Sequence, residues 1–205
     1  PAVVRYGYGF VQGVDAAAAE LDKTVELNYA YGNQFYGDAD ITAAMDVWYQ
    51  GGTQVVFACG GGIYTSAVDA AKKVEGAKVI GVDVDQAGVI ANYAGGDEYK
   101  DLTVTSAMKG LYPATYDALT DIVLNGKWAD YAGKIETLGL VSGDDPEANY
   151  VQIPMESTQW DDEFTQEDYK ALVAKMFSGE ITVSNDISAM PAVTNVTIND
   201  QGNIK

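Results

Sequence analysis

Histidine is absent from the 205 residues, and cysteine occurs once, as Cys59. Without histidine the chain cannot assemble a Ser-His-Asp or Cys-His constellation within itself, and a catalytic zinc site would lack its commonest ligand. A lone cysteine forbids an internal disulfide and leaves the redox compartment open. Basic residues are scarce too: 12 Lys plus Arg stand against 30 Asp plus Glu, for a formal net charge of −18. A surface this acidic repels phosphate backbones and anionic lipid, so neither nucleic acid nor a membrane surface is expected as a partner. No apolar run approaches the roughly 20 residues of a membrane span. The sequence opens on Pro1-Ala2-Val3-Val4-Arg5 with no initiator Met, leader or lipidation motif, which reads as a processed or truncated chain.

What is present is ample apolar material, 47 % of the residues, arranged in alternating short strands and amphipathic helices. Tyr6, Phe10, Val14 and Ala17 or Ala18 recur at helical spacing and predict a helix over 3–21. A β-branched and aromatic strand is expected over 24–31. A helix capped by Asp38 or Asp40 should run to about Gln50 and stop at Gly51-Gly52. The run 54–59 reads as a buried strand, 64–74 as a helix after Gly60, Gly61 and Gly62, and 77–82 as another buried strand. Beyond Asp85 the rhythm predicts a strand over 101–106, a long helix over 108–125 and a strand over 134–141. A terminal helix carries a capping box, Thr165 with Asp168, and strands over 180–183 and 193–198 follow. Such strand–helix alternation closes into a parallel α/β sheet.

In parallel sheets ligands sit at the carboxyl ends of strands, where backbone N–H groups and helix N-termini converge. Three places qualify. The turn of Gly60, Gly61 and Gly62 lets a ligand approach the backbone, or is simply a tight strand-to-helix turn. It matches neither a phosphate-binding loop nor a dinucleotide fingerprint, and no cofactor is expected. Asp83 and Asp85 follow the next strand; a carboxylate there accepts two hydrogen bonds at once, as vicinal sugar hydroxyls require. Strand alternation would put both on one side, where they serve equally as an acid–base pair or a cation site. Asp83 is favoured for function and Asp85 for a capping role. Lys109, after the last of these strands, is a candidate donor to a hydroxyl or carbonyl oxygen, or a plain solvated lysine. Phe57, Phe35 and Tyr36 offer flat faces for a heterocycle, although strand aromatics also serve as core. Cys59 reads as a small buried hydrophobe.

Taken in order, Arg5-Tyr6-Gly7-Tyr8-Gly9-Phe10 with Gly13 after it, Tyr49-Gln50-Gly51-Gly52-Thr53, Val55-Val56-Phe57-Ala58-Cys59-Gly60-Gly61, Ile80-Gly81-Val82-Asp83-Val84-Asp85-Gln86 and Thr105-Ser106-Ala107-Met108-Lys109 form a pattern. It resembles the second part of the basic membrane protein family of solute-binding lipoproteins, whose members include purine nucleoside receptors of ABC importers. The likeness covers roughly residues 1–140. It implies a type I periplasmic-binding-protein fold whose two lobes close on a ligand about a hinge, with no chemistry of its own. By this resemblance Asp83 and Lys109 hold the ribose, Phe57 (or Tyr64, with slippage) packs on the base, Gly60, Gly61 and Gly62 line the cleft, and Phe35 and Tyr36 lie at its rim.

The resemblance also implies an organisation. Residues 1–107 would be the second lobe without its first strand, 108–133 a crossover helix packing on an absent first lobe, and 134–205 return strands, an acidic loop and a helical tail. A separate fragment or chain would supply the first lobe, an importer permease would be the protein partner, and the address would be extracytoplasmic and lipid-anchored. Two other readings stand beside this one: a nucleoside- or sugar-processing enzyme using Asp83 and Asp85, and a ligand-sensing regulatory domain.

Overall fold

The computed structural model describes residues 2–204 as an α/β fold in which helices flank parallel and mixed sheets. Helix α1 (Ala2–Glu20) leads to β1 (Val25–Tyr31). The units α2 (Ala39–Gln50), β2 (Val55–Phe57), α3 (Tyr64–Ala71), β3 (Lys78–Asp83), α4 (Ala87–Ala94) and β4 (Thr103–Lys109) then alternate. Strands β2, β3 and β4 are parallel neighbours, and a two-residue strand, β5 (Val151–Gln152), pairs antiparallel with the end of β4. Strand β1 stands apart from these, pairing in parallel with β6 (Val196–Asn203) as a second, two-stranded sheet.

Local chemistry accounts for the elements. Asp38 is extended and accepts from the amides of Asp40 and Ile41, so two orphan donors of α2 are satisfied at the cap. Helix α7 (Gln166–Ser178) starts on a reciprocal capping box of Thr165 and Asp168 and ends at left-handed Gly179. Strand alternation on β2 then sorts the helices between the two faces. Val56 and Ala58 belong to a core with Ile41, Met45, Tyr49 and Val68 from α2 and α3. Phe57 points the other way and meets Phe10 of α1, ring centroids 5.2 Å apart. Val11 of α1 makes a second core with Leu27 and Val196 from the β1–β6 pair.

Several expectations are corrected. Strand β4 continues through Lys109, and the helix after it is shorter than 108–125: α5 (Leu111–Leu119) passes into a π turn over 120–124, and a one-turn α6 (Trp128–Tyr131) follows. Residues 134–141 form no strand. Ile135 is fully exposed, and among the described residues no neighbouring backbone offers that stretch a ladder; Gly139 alone accepts from the amide of Tyr150. Residues 180–183 likewise form no strand. The loop before β5 is organised instead by buried Asn149, whose Oδ1 accepts from the amides of Val141 and Ser142 while its Nδ2 donates to the Ser142 carbonyl. Among the described residues no helix is long and apolar enough to cross a membrane.

Candidate functional site

Because β2, β3 and β4 run parallel, Phe57, Asp83 and Lys109, the last residues of these strands, lie at the same end of the sheet. The Asp83 Oδ1 and Lys109 Nζ lie 2.6 Å apart, and both side chains are partly open to solvent. The aspartate sits on unusual backbone. Its φ is +71°, and the amide of Val84 donates to the carbonyl of Val82 across it, the bond of a γ-turn. A positive-φ γ-turn is a strained conformation for a side-chain-bearing residue, and it ends the strand by swinging this carboxylate toward Lys109.

That turn separates Asp83 from Asp85, correcting the expectation that the two share one side. Asp85 Oδ1 accepts from the amide of Ala87 at the start of α4, and its Oδ2 accepts from the hydroxyl of Ser157. It caps and tethers. Among the described residues no group of three or more acidic or cysteine side chains is placed to hold a metal ion.

The glycine turn is held against two segments. The amide of Gly62 donates to the Phe35 carbonyl at 2.8 Å, and Tyr36 and Gly62 form a parallel bridge. Gly61 has φ +51°, and a Cβ added at Gly62 would come within 3.2 Å of the Phe35 carbonyl. The glycines therefore permit a close backbone approach, and Phe35 lies beside them with its side chain largely exposed. From the other side buried Gln86 clamps the turn: its Nε2 donates to the Gly61 carbonyl, its Oε1 accepts from the Val82 amide, and its own amide donates to the buried Ser106 hydroxyl. Gln86 and Ser106 thus lock the ends of β3 and β4 to the turn.

Phe57 is not the aromatic at the ion pair. Its ring packs on Phe10, whereas Tyr6, one helical turn earlier on α1, has its ring centroid 6.0 Å from Lys109 Nζ. Tyr64 is directed elsewhere, meeting Tyr93 edge-on. Tyr6 is half-buried, and desolvation, followed by the charge of Asp83, pushes its hydroxyl up to about 12. Burial and then Asp83 likewise push the Cys59 thiol up to about 12, with Lys109 opposing. Tyr6 was legible in the sequence only as the first aromatic of a helical face; nothing in the strand-end rule points to it.

Beside this polar cluster lies an apolar cavity of about 400 Å³ between β1 and β2, lined in part by Phe10, Phe57, Cys59, Phe35 and Tyr31. The ion pair does not line it, whereas Cys59, on which the charges of both Asp83 and Lys109 act, does. The chain matches no protein-family model and no curated protein sequence.

Proposed function

We propose that this chain carries one wall of a hydroxylated-ligand site, and that it is the binding component of an extracytoplasmic importer for nucleosides. The observation that carries this reading is the solvent-open Asp83–Lys109 pair at the ends of β3 and β4, with Tyr6 beside it and the glycine turn tied through Gln86 to Val82, the residue before Asp83. An acceptor carboxylate next to a donor ammonium complements vicinal hydroxyls, each of which both donates and accepts. The half-buried Tyr6 ring supplies an apolar face for a flat base. Resemblance to the basic membrane protein family gives the same assignment for Asp83 and Lys109. A type I binding-protein architecture would place the opposite wall on a first lobe outside residues 1–205.

A binding role without chemistry fits the engagement of Asp85, whose two carboxylate oxygens are taken by the Ala87 amide and the Ser157 hydroxyl rather than aligned with Asp83 as an acid–base pair. The protein's ligand is identified by mass spectrometry of small molecules released on denaturing the purified material. Calorimetry with adenosine, guanosine and inosine then compares it with D83A and K109M. Loss of two charge-assisted hydrogen bonds, each about 1.5–3 kcal/mol, weakens binding at least tenfold in D83A. Unchanged affinity in both variants would remove the basis of this reading.

A further inference from the structure

Asparagine occurs nine times, and at one place, Asn125-Gly126, it is followed by glycine. This pair ends the π turn over 120–124, with both residues exposed. The backbone on either side is tied: the Asn125 amide donates to the Thr120 carbonyl and the Lys127 amide to the Asp121 carbonyl, each at 3.0 Å. The peptide unit between those two amides is not. Among the described residues nothing donates to the Asn125 carbonyl, and the Gly126 amide finds no acceptor. Gly126 stands at φ +66°, which its missing side chain allows, and a Cβ placed there would meet nothing within 4 Å.

The side chains around this loose unit form one polar knot. Asp121 accepts from Asn125 Nδ2, Lys127 Nζ and the Tyr131 hydroxyl, each at 3.0 Å. No residue of α5, the π turn or α6 is buried, so the knot rather than apolar packing closes this turn. Asn125 enters it as a donor to a carboxylate four residues back. A carboxylate in its place would face Asp121 as a like charge at that spacing, which destabilises a helical turn.

From this geometry we infer that Asn125 is a self-modifying site: it loses ammonia to become aspartate or isoaspartate, and the new charge opens the Asp121 knot. The Gly126 nitrogen gives its proton to solvent base and attacks Cγ of Asn125. The N–Cγ bond forms, the Cγ–Nδ2 bond breaks, and Nδ2 takes up a proton and leaves as ammonia. Water then opens the five-membered imide. Breaking its Cγ–N bond leaves aspartate; breaking the bond from nitrogen to the backbone carbonyl carbon leaves isoaspartate, with the chain running through Cγ. Ring closure needs the Asn125–Gly126 unit to rotate from its ψ of −4°, and the rotation breaks no hydrogen bond of that unit. The other eight asparagines precede residues that carry side chains, which crowd the attacking nitrogen. Asn149 is also buried, with its carboxamide engaged at both ends. The inference stands apart from the nucleoside reading, since neither Asp83 nor Lys109 takes part.

The test is peptide mapping by mass spectrometry of the unmodified chain after incubation at pH 8, with isoaspartate counted by enzymatic methylation. Asn125 is expected to convert at least tenfold faster than any other asparagine, mostly to isoaspartate, with an equal amount of ammonia released. G126A, whose methyl group meets no neighbour but crowds the attack, should slow the loss at least tenfold. N125D, the preformed product, should speed amide exchange at least threefold at Lys127, Asp130 and Ala132, whose amides hold the turn. Three results would overturn the inference: another asparagine converting as fast as Asn125; conversion to aspartate alone, the mark of direct hydrolysis without the imide; or unaltered exchange in N125D, which would leave the knot indifferent to the charge.

Discussion

Asp83 and Lys109 form an ion pair across the ends of two adjacent parallel strands, and Asp83 reaches it from a left-handed backbone conformation. Pair and strain belong together. A partly exposed ion pair contributes on the order of 0–1 kcal/mol, which does not exceed the roughly 1–2 kcal/mol cost of a left-handed L-residue. Stability alone does not explain why an aspartate occupies this turn.

Replacing Asp83 by glycine separates the two roles. D83G removes the strain and the carboxylate together, so thermal stability is expected to hold or to rise by about 1 kcal/mol while nucleoside affinity falls at least tenfold. Differential scanning calorimetry beside titration calorimetry reads both. A marked loss of stability would mean that the carboxylate serves the fold.

Cys59 should be a poor nucleophile. With its thiol raised to about 12, the thiolate is rare at pH 8, and alkylation by iodoacetamide should run at least about a hundredfold slower than in the unfolded chain. The same shifts fix the sign of a pH effect. Cys59 and Tyr6 both have folded-state values above their ordinary 9.0 and 10.0, so the neutral forms favour the native state. Their contribution is complete below about pH 9 and is lost as pH rises towards 12. Urea midpoints measured from pH 8 to 11 should therefore fall, and fall less in C59A.

Gln86 offers a purely structural control. Truncation in Q86A leaves the Val82 amide and the Gly61 carbonyl without their partner, and the first of these is buried. The expected loss is about 1–3 kcal/mol by chemical denaturation, with faster amide exchange in the glycine turn. Unaltered exchange at Gly61 and Gly62 would show that the Phe35 carbonyl holds the turn unaided.

The elements that sequence reasoning found are those whose signals are local. The Thr165–Asp168 box, the Asp38 cap and the apolar runs of β2 and β3 each carry their cause within a few residues. Residues 134–141 carry an apolar pattern as well, but a strand exists only where another strand accepts its hydrogen bonds, and that information is not local. Helix α4 has no counterpart in the sequence reading, which expects no element between Asp85 and the strand over 101–106; its start is set by Asp85, whose carboxylate accepts from the Ala87 amide, and by Gln86. At the site, strand-end logic found Asp83 and Lys109 as neighbours. Tyr6 approaches them from a helix far away in sequence, and the partnership of Gln86 with Gly61 depends on the packing of α4.

The pairing of β1 with β6 has a kinetic side. Asn28 and Asn199, which hydrogen-bond across this ladder, are 171 positions apart, so the two strands meet only after nearly the whole polypeptide has been brought to order. Closing so long a loop carries a large entropic cost before any contact offsets it. The β2–β3–β4 unit, built from neighbours in sequence, is thus the natural early nucleus, and the β1–β6 ribbon locks on late. Deletions near residue 196 would then act on refolding through the stability of β1, at the opposite end of the sequence.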